Sequence, residues 1–269
     1  MKENKKRLDA LIVERNLAES REKAQRLILA GLAQIKGVDH PKPGMRIPPD
    51  TEIFIDVPGE RYVSRGGYKL GAALDAFHID PFGMVCLDVG ASTGGFTDCL
   101  LQRGAKRIYA VDVGYGQFHY RLRNDPRIIL LERVNARYLT SSEIPESIDL
   151  AVIDVSFISL HLVLQPIIDF LSPRGTVVAL IKPQFEAGKE KVPRGGVIRD
   201  REIHCEVLEL AMSKLRDNGW RVTGLTPSPI AGVSGNREYL ACLIRGKSGD
   251  ASEAPLPDIS AVVLQAFKE

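Results

Sequence analysis

The chain has 269 residues and a formal net charge of +2 at pH 7, with 44% hydrophobic and 26% charged residues. Those fractions are ordinary for a soluble globular protein, and the length holds one large domain or a medium domain with a small partner. So small a net charge carries no argument by itself, which leaves its distribution to be read. Cys86, Cys99, Cys205 and Cys242 are scattered without a C-x-x-C pair, against zinc and against a disulfide framework. The basic start, Lys5-Lys6-Arg7, leads into no apolar core of signal-peptide type, and no run approaches bilayer-spanning length. The expectation is a soluble cytoplasmic protein with no metal and no membrane partner. No feature of the sequence bears on oligomeric state.

Arg7 to Glu14 carries Leu8, Leu11 and Ile12 at helical spacing. Ser20 is placed to cap a second helix, Arg21 to Ala30, with Ala24, Leu27 and Ile28 on one face, and Gly31 ends it. Short strands are expected over residues 32–35 and 52–57, separated by a Pro/Gly-rich loop over residues 41–49. The first 36 residues hold nine Lys/Arg against five Asp/Glu. Such a surface is either a nucleic-acid footprint or a solvated helix face. Arg7-Leu8-Asp9, Leu17, Ser20-Arg21, Ala24, Gly31 and Gly37 together resemble the small RNA-binding module named after ribosomal protein S-four. The resemblance covers residues 1–57 and implies that Arg7, Arg21 and Lys23 face RNA phosphates. Arg7-Leu8-Asp9 is also similar to a triplet at pseudouridine synthase active sites, but its helical setting here points to a structural role.

Residues 58–63 read as a linker. Around it, Arg61, Arg65 and Lys69 interleave with Tyr62 and Tyr68 about a Gly66-Gly67 pair. Such a mixture grips a nucleic-acid strand by charge and stacking, with Arg61, Arg65 and Tyr68 as the candidates. For Tyr62, packing between domains is an equal alternative. An amphipathic helix over residues 70–77 follows.

Val85 to Val89 is an apolar run with an embedded Asp88, stopping at Gly90-Ala91-Ser92-Thr93-Gly94-Gly95. A helix from Phe96 to Arg103 comes next, so the unit reads as buried strand, tight loop and helix, the opening of a doubly wound sheet. Ser92 stands where the dinucleotide fingerprint has its middle glycine, which disfavours a pyrophosphate cradle. The second strand, residues 107–112, ends in Asp112, an acid able to accept from both ribose hydroxyls. A small-residue loop with a ribose acid and no phosphate signature suits S-adenosylmethionine (SAM). Taken alone, the stretch fits an ordinary tight strand–helix turn equally well.

Strands are expected over residues 127–131, 148–154 and 176–183, with a helix over residues 160–171. Residues 184–196 have no periodicity and form a loop long enough to be functional. A helix over residues 198–218 precedes strands over 220–225 and 238–244, then a tail over 247–269 containing a short helix over 259–267. Asp154 and Lys182 each end an apolar strand. Glu238 begins an antiparallel strand at the sheet edge, which brings it to the same end, and Lys69 precedes the first helix of the sheet domain. One such charge alone reads as a solvated strand end, but four around one crevice make chemical sense together. Methyl transfer to a ribose hydroxyl needs that hydroxyl to lose its proton. Lys182 is then the base, Lys69 a second positive charge beside it, Asp154 its positioner, and Glu238 the group that orders the others.

Residues 64–70, Asp88 to Asp98, Asp154 to Ser159, Ile181 to Phe185 and Gly235 to Tyr239 jointly resemble the TlyA family of SAM-dependent ribosomal RNA 2′-O-methyltransferases acting on cytidines. The related FtsJ-like enzymes share a Lys-Asp-Lys-Glu catalytic set, which the resemblance places on Lys69, Asp154, Lys182 and Glu238. It implies SAM contacts along Gly90, Ala91, Ser92, Thr93, Gly94 and Gly95 and at Asp112, Asn135 and Asp154. The implied partner is ribosomal RNA or a ribosomal subunit. The implied fold is α/β: a Rossmann-like SAM-dependent methyltransferase sheet over residues 64–246 with a small N-terminal α+β RNA-binding domain. Three rival readings make different demands on the sequence. A base methyltransferase calls for an Asn-Pro-Pro-Tyr-like motif or a catalytic Pro-Cys, and neither is present. A membrane-damaging protein, the haemolysin label carried by relatives, calls for a spanning or strongly amphipathic segment. A SAM-sensing RNA binder without turnover has no need of Lys182 or Glu238.

Overall fold

The structure is a computed structural model that describes residues 5–15, 17–18, 20–55, 60–232, 234–246 and 257–268. The first unit contains β1 (Lys6–Arg7), α1 (Leu8–Glu14), α2 (Arg21–Leu29), β2 (Ala33–Ile35), β3 (Arg46–Ile47) and β4 (Ile53–Ile55). The pairs β1–β3 and β2–β4 are antiparallel. Leu8, Leu11 and Ile12 of α1 pack with Ala24, Leu27 and Ile28 of α2, the periodic positions read from the sequence. The Ser20 hydroxyl accepts from the Lys23 amide at 3.2 Å, and Gly31 leaves the helix at φ 73°. Residues 56 and 57, part of the expected second strand, and residues 58 and 59 of the expected linker lie outside the described residues.

The larger unit follows: α3 (Gly66–Ala76), β5 (Val85–Val89), α4 (Gly95–Gln102), β6 (Arg107–Asp112), α5 (Tyr120–Arg123), β7 (Ile128–Glu132), β8 (Ile148–Ile153), α6 (Leu160–Ile167), β9 (Leu171–Ile181), α7 (Pro183–Glu186), α8 (Arg201–Asp217), β10 (Trp220–Pro227), β11 (Tyr239–Arg245) and α9 (Ile259–Ala266). Seven strands form one sheet in the order β10-β11-β9-β8-β5-β6-β7. All neighbours from β9 to β7 are parallel, and β11 runs antiparallel to both β9 and β10. Residues of each strand alternate between two cores. Leu87, Val89, Ala151, Ile153, Val177 and Ala179 face α6, α8 and α9, whereas Cys86, Leu150, Val152 and Val178 face α3 and α4. Helices on both faces are what parallel strands with continuous apolar runs require. The chain winds outward through β5, β6 and β7, then returns to place β8 on the other side of β5. That reversal opens a crevice beyond the carboxyl ends of β5 and β8.

Five expectations about elements are corrected. Helix α3 starts at Gly66 rather than Leu70, because Gly66 and Gly67 are where it packs: a Cβ at Gly67 would run into the Tyr62 ring. Helix α6 ends at Ile167, not residue 171. Pro166 lacks the amide that would bond back a turn, and a 3-10 turn over Ile168–Phe170 leads directly into β9. Strand β9 therefore begins at Leu171 rather than residue 176. The edge strand is β10; β11, which Glu238 precedes, is interior. Within the expected loop, Pro183–Glu186 forms the short helix α7.

Candidate active site

Gly90 leaves β5 at φ 85°, and a Cβ there would collide with the Asp154 carbonyl at the end of β8. Only glycine lets the two strand ends approach this closely. Ser92 (φ 49°) and Gly94 (φ 93°) complete a tight loop, with Gly94 at the N-cap of α4. Beneath it, Asp88 is fully buried; its Oδ2 accepts from the Thr97 hydroxyl at 2.6 Å while its Oδ1 has no partner. Burial pushes this carboxyl up to about 7.

A cavity of about 490 Å3 opens over the loop, and Gly90, Ala91, Ser92, Thr93 and Gly95 line it. Lys69, Asp154, Lys182 and Glu238 line the same cavity, so the fold brings together all four groups read as catalytic. They stand as two ion pairs. Lys69 Nζ lies 2.5 Å from Glu238 Oε2, with both side chains nearly enclosed, and Lys182 Nζ lies 2.6 Å from Asp154 Oδ1. The register explains the convergence. Tyr239 pairs with Ile181 across β11 and β9, so the residues just beyond that pair, Glu238 and Lys182, emerge at one end of the sheet. Lys182 Nζ also donates to the Ser156 hydroxyl at 2.9 Å. Ser156 had no role in the sequence reading, although it lies in the Asp154 to Ser159 motif; nothing in a sequence marks a serine two residues past a strand end as a partner for a lysine. Lys69 answers Glu238 directly, and not Lys182 as expected.

Three expected cofactor contacts stand apart from the cavity wall. Gly94 caps α4. Asp112 has both carboxylate oxygens engaged by backbone, Oδ2 accepting from the Ser92 amide at 2.7 Å and Oδ1 from the Gly114 amide at 2.6 Å. It thus braces the loop that lines the cavity. Asn135 caps the turn over Ala136–Tyr138, its Oδ1 accepting from the Arg137 amide at 3.0 Å.

The residues read as contacting RNA are spread over both units. Arg7 and Arg21 both reach Asp9, at 2.8 and 3.1 Å, and Gln25 donates to the same carboxylate. The Arg7 guanidinium holds the fully buried Asp9 carboxyl far below the usual carboxylate range. Asp9 is therefore a structural tie between α1 and α2, as its helical setting implied. Lys23 and Arg65 line the cavity, and Arg65 donates to the Ala231 carbonyl at 2.9 Å. Arg61 lies 5.0 Å above the Tyr62 ring, which is buried against α3 and α4 of the larger unit, whereas the packing alternative places it between domains. The Tyr68 hydroxyl donates to Glu60 at 2.8 Å.

Comparison with known proteins fits this geometry. Residues 62–245 match the family model of the FtsJ-like methyltransferases. The chain is 46% identical over 238 residues to the 16S/23S rRNA (cytidine-2′-O)-methyltransferase TlyA of Mycobacterium tuberculosis, covering 88% of this chain and 89% of that protein. It is 44% identical over 239 residues to Hemolysin A of Brachyspira hyodysenteriae, covering 88% and 99%. A solved structure from Streptococcus thermophilus, described as a candidate hemolysin, superposes with a TM-score of 0.77 at 44% identity, covering 98% of this chain and 96% of that one. A seven-stranded sheet with one reversed strand, two Lys–carboxylate pairs at its crevice and a family match over residues 62–245 agree: the chain is a methyltransferase of the FtsJ-like family, within its TlyA group.

Proposed function

We propose that this protein transfers a methyl group from SAM to the 2′-hydroxyl of a ribose in ribosomal RNA, a cytidine ribose as in the TlyA relatives, with Lys182 as the base. The observation that carries the reading is the placement of Lys182 and Asp154 on the same cavity as the Gly90–Thr93 loop. That loop fits the methyl donor: Gly90, Ala91, Ser92 and Thr93 line the cavity with small side chains, and no phosphate-binding fingerprint intrudes. SAM, when bound, supplies an electrophilic methyl group on a sulfonium. The chain's own work is to orient the ribose and accept a proton. Lys182 in its neutral form takes the 2′-hydroxyl proton as the carbon–oxygen bond forms and the carbon–sulfur bond breaks. The ammonium paired with Asp154 and donating to Ser156 is the state after that transfer, and it returns its proton to solvent before the next turnover. Lys69 and Glu238, enclosed and paired with each other, line the same cavity.

The basic first unit, with Arg7, Arg21 and Lys23, supplies phosphate contacts that position the RNA without choosing its sequence. Arg61, Arg65 and Tyr68 extend that surface toward the cavity. A ribosomal substrate places the protein in the cytoplasm. Among the described residues no helix is long and apolar enough to cross a membrane.

The test offers separate ribosomal subunits and labelled SAM, then maps positions resistant to alkaline cleavage. A 2′-O-methyl blocks that cleavage; label on a base would overturn the reading. Lys182→Ala is expected to lose turnover by roughly a hundredfold or more while SAM and RNA binding persist. Retained turnover would remove Lys182 as base.

A further inference from the structure

Lys182 is held at both ends. Its backbone sits at the junction of β9 and α7, where its carbonyl accepts from the Phe185 amide at 2.9 Å. Its Nζ reaches Asp154 and Ser156, which belong to the segment joining β8 to α6. The geometry of the base therefore depends on how two separate loops are fixed to one another. The β8–α6 segment is poorly placed to fix itself. Phe157 adopts φ 65°, a left-handed conformation that is strained for a non-glycine residue. Its side chain is 89% exposed, so burial does not repay that strain.

What fixes it is Glu186, the last residue of α7. Glu186 Oε1 accepts from the Leu160 amide at 2.7 Å, and Oε2 accepts from the Ser159 hydroxyl at 2.6 Å. Ser159 occupies the N-cap of α6, yet its side chain makes no capping bond to its own helix. The cap that a serine ordinarily supplies is delivered instead by a carboxylate from the Lys182 loop, and a negative charge there is also favoured by the helix dipole. The Phe157 and Phe185 rings, 4.9 Å apart, form a second tie between the same two loops.

We propose that Glu186 is a positioning residue for methyl transfer: by capping α6 from the Lys182 loop it clamps the two loops together and sets Lys182 against Asp154 and Ser156. The proposal rests on Lys182 being the base. A misplacement of about 1 Å at a reacting group costs up to a hundredfold in rate, so the clamp acts on kcat. The Gly90–Thr93 loop and the basic first unit are held by other contacts, so donor and RNA binding are left alone.

The test is steady-state methyl transfer to ribosomal subunits, with kcat counted per SAM-binding site so that misfolded protein drops out. Glu186→Ala is expected to lower kcat roughly tenfold or more, with KM for RNA and Kd for SAM within about twofold of the parent. Glu186→Gln keeps an acceptor for the Leu160 amide and a polar partner for Ser159, and is expected to restore most of the rate. Ser159→Ala removes one of the two bonds to Glu186 together with the 2.8 Å contact of Ser159 with His161 Nδ1, and is expected to give an intermediate loss even if Glu186→Ala does not fold. His161→Ala, which removes only that second contact, is expected to leave kcat unchanged. A kcat per site unchanged in Glu186→Ala and Ser159→Ala overturns the proposal, as does a loss that appears in KM or that Glu186→Gln fails to restore. Lys182→Ala in the same assay keeps the two readings apart. Turnover retained there removes the base itself; turnover lost there with full kcat in Glu186→Ala removes only the clamp.

Discussion

At the residue scale, the group whose environment departs furthest from water is Asp88. It is fully buried directly under the cavity loop, with one oxygen on Thr97 and the other without a partner. Desolvation raises its carboxyl to about 7, well above the ordinary aspartate value, so the folded protein keeps this proton over a range in which the unfolded chain has lost it. Between about pH 4 and pH 7 the native state binds more protons than the unfolded state, and stability falls as pH rises. The contribution is fully present below the unfolded value and lost through the folded one. Asp88→Asn keeps an acceptor for Thr97 and replaces the titrating oxygen by an amide. Thermal unfolding between pH 5 and pH 8 is expected to show the parent losing Tm with rising pH while this component is absent from the variant. An identical slope in both proteins would mean that Asp88 is ionised in the fold.

At the scale of elements, the site depends on how closely α3 approaches its neighbours. Tyr62 fills the space that a side chain at Gly67 would need, and its hydroxyl lies 3.7 Å from the Cys99 thiol of α4. Gly67→Ala overpacks this junction and is expected to cost about 1–3 kcal/mol, read as a lower denaturant midpoint. Because Lys69 follows two residues on in α3, a fall in kcat should accompany it. The same junction shows what the sequence withholds. A Gly-Gly pair reads as a break in a helix, since glycine disfavours helix by propensity, and only the Tyr62 ring packed across it reveals why the helix runs through. The apolar run of β9 starts only at Thr176, yet Leu171 already pairs with Ile148 of β8, and residues 172–175 form an irregularity before pairing resumes between Thr176 and Leu150. The strand ends carrying Asp154, Lys182 and Glu238 were legible because buried strands are continuous apolar runs, parallel in β8 and β9 and antiparallel in β11, and a charge at the end of such a run stands out. Roles that depend on a distant partner were not. Glu186 meets residues 26 and 27 positions away, and Asp112 spends its carboxylate on the Ser92 and Gly114 amides, neither of which leaves a mark in the local pattern.

At the scale of the whole molecule, the basic first unit and the donor loop meet through a short aromatic contact. Phe54 of β4 packs edge-on against His119 and Tyr120, with ring centroids 6.2 and 5.7 Å apart. The His119 amide donates to the Thr93 carbonyl at 3.1 Å, so the segment that receives Phe54 is bonded to the loop lining the cavity. Lys23 and Phe54 line that cavity together with Lys182 and Glu238. On the proposed function, a methyl acceptor gripped by the first unit is thereby presented to the second at a fixed distance, provided the two stay docked. Aromatic pairs of this kind contribute about 0.5–1.5 kcal/mol each beyond their buried area. Losing both in Phe54→Ala weakens docking by about 2 kcal/mol, and 1.4 kcal/mol is a tenfold change in an equilibrium. The expected outcome is a rise of roughly tenfold in KM for ribosomal RNA, with Kd for SAM within about twofold because the Gly90–Thr93 loop keeps its own hydrogen bonds. Initial rates at varied RNA and calorimetric SAM titration separate the two quantities. An unchanged KM would mean that the two units hold RNA independently, and that the placement of the first unit over the cavity is not what delivers the ribose.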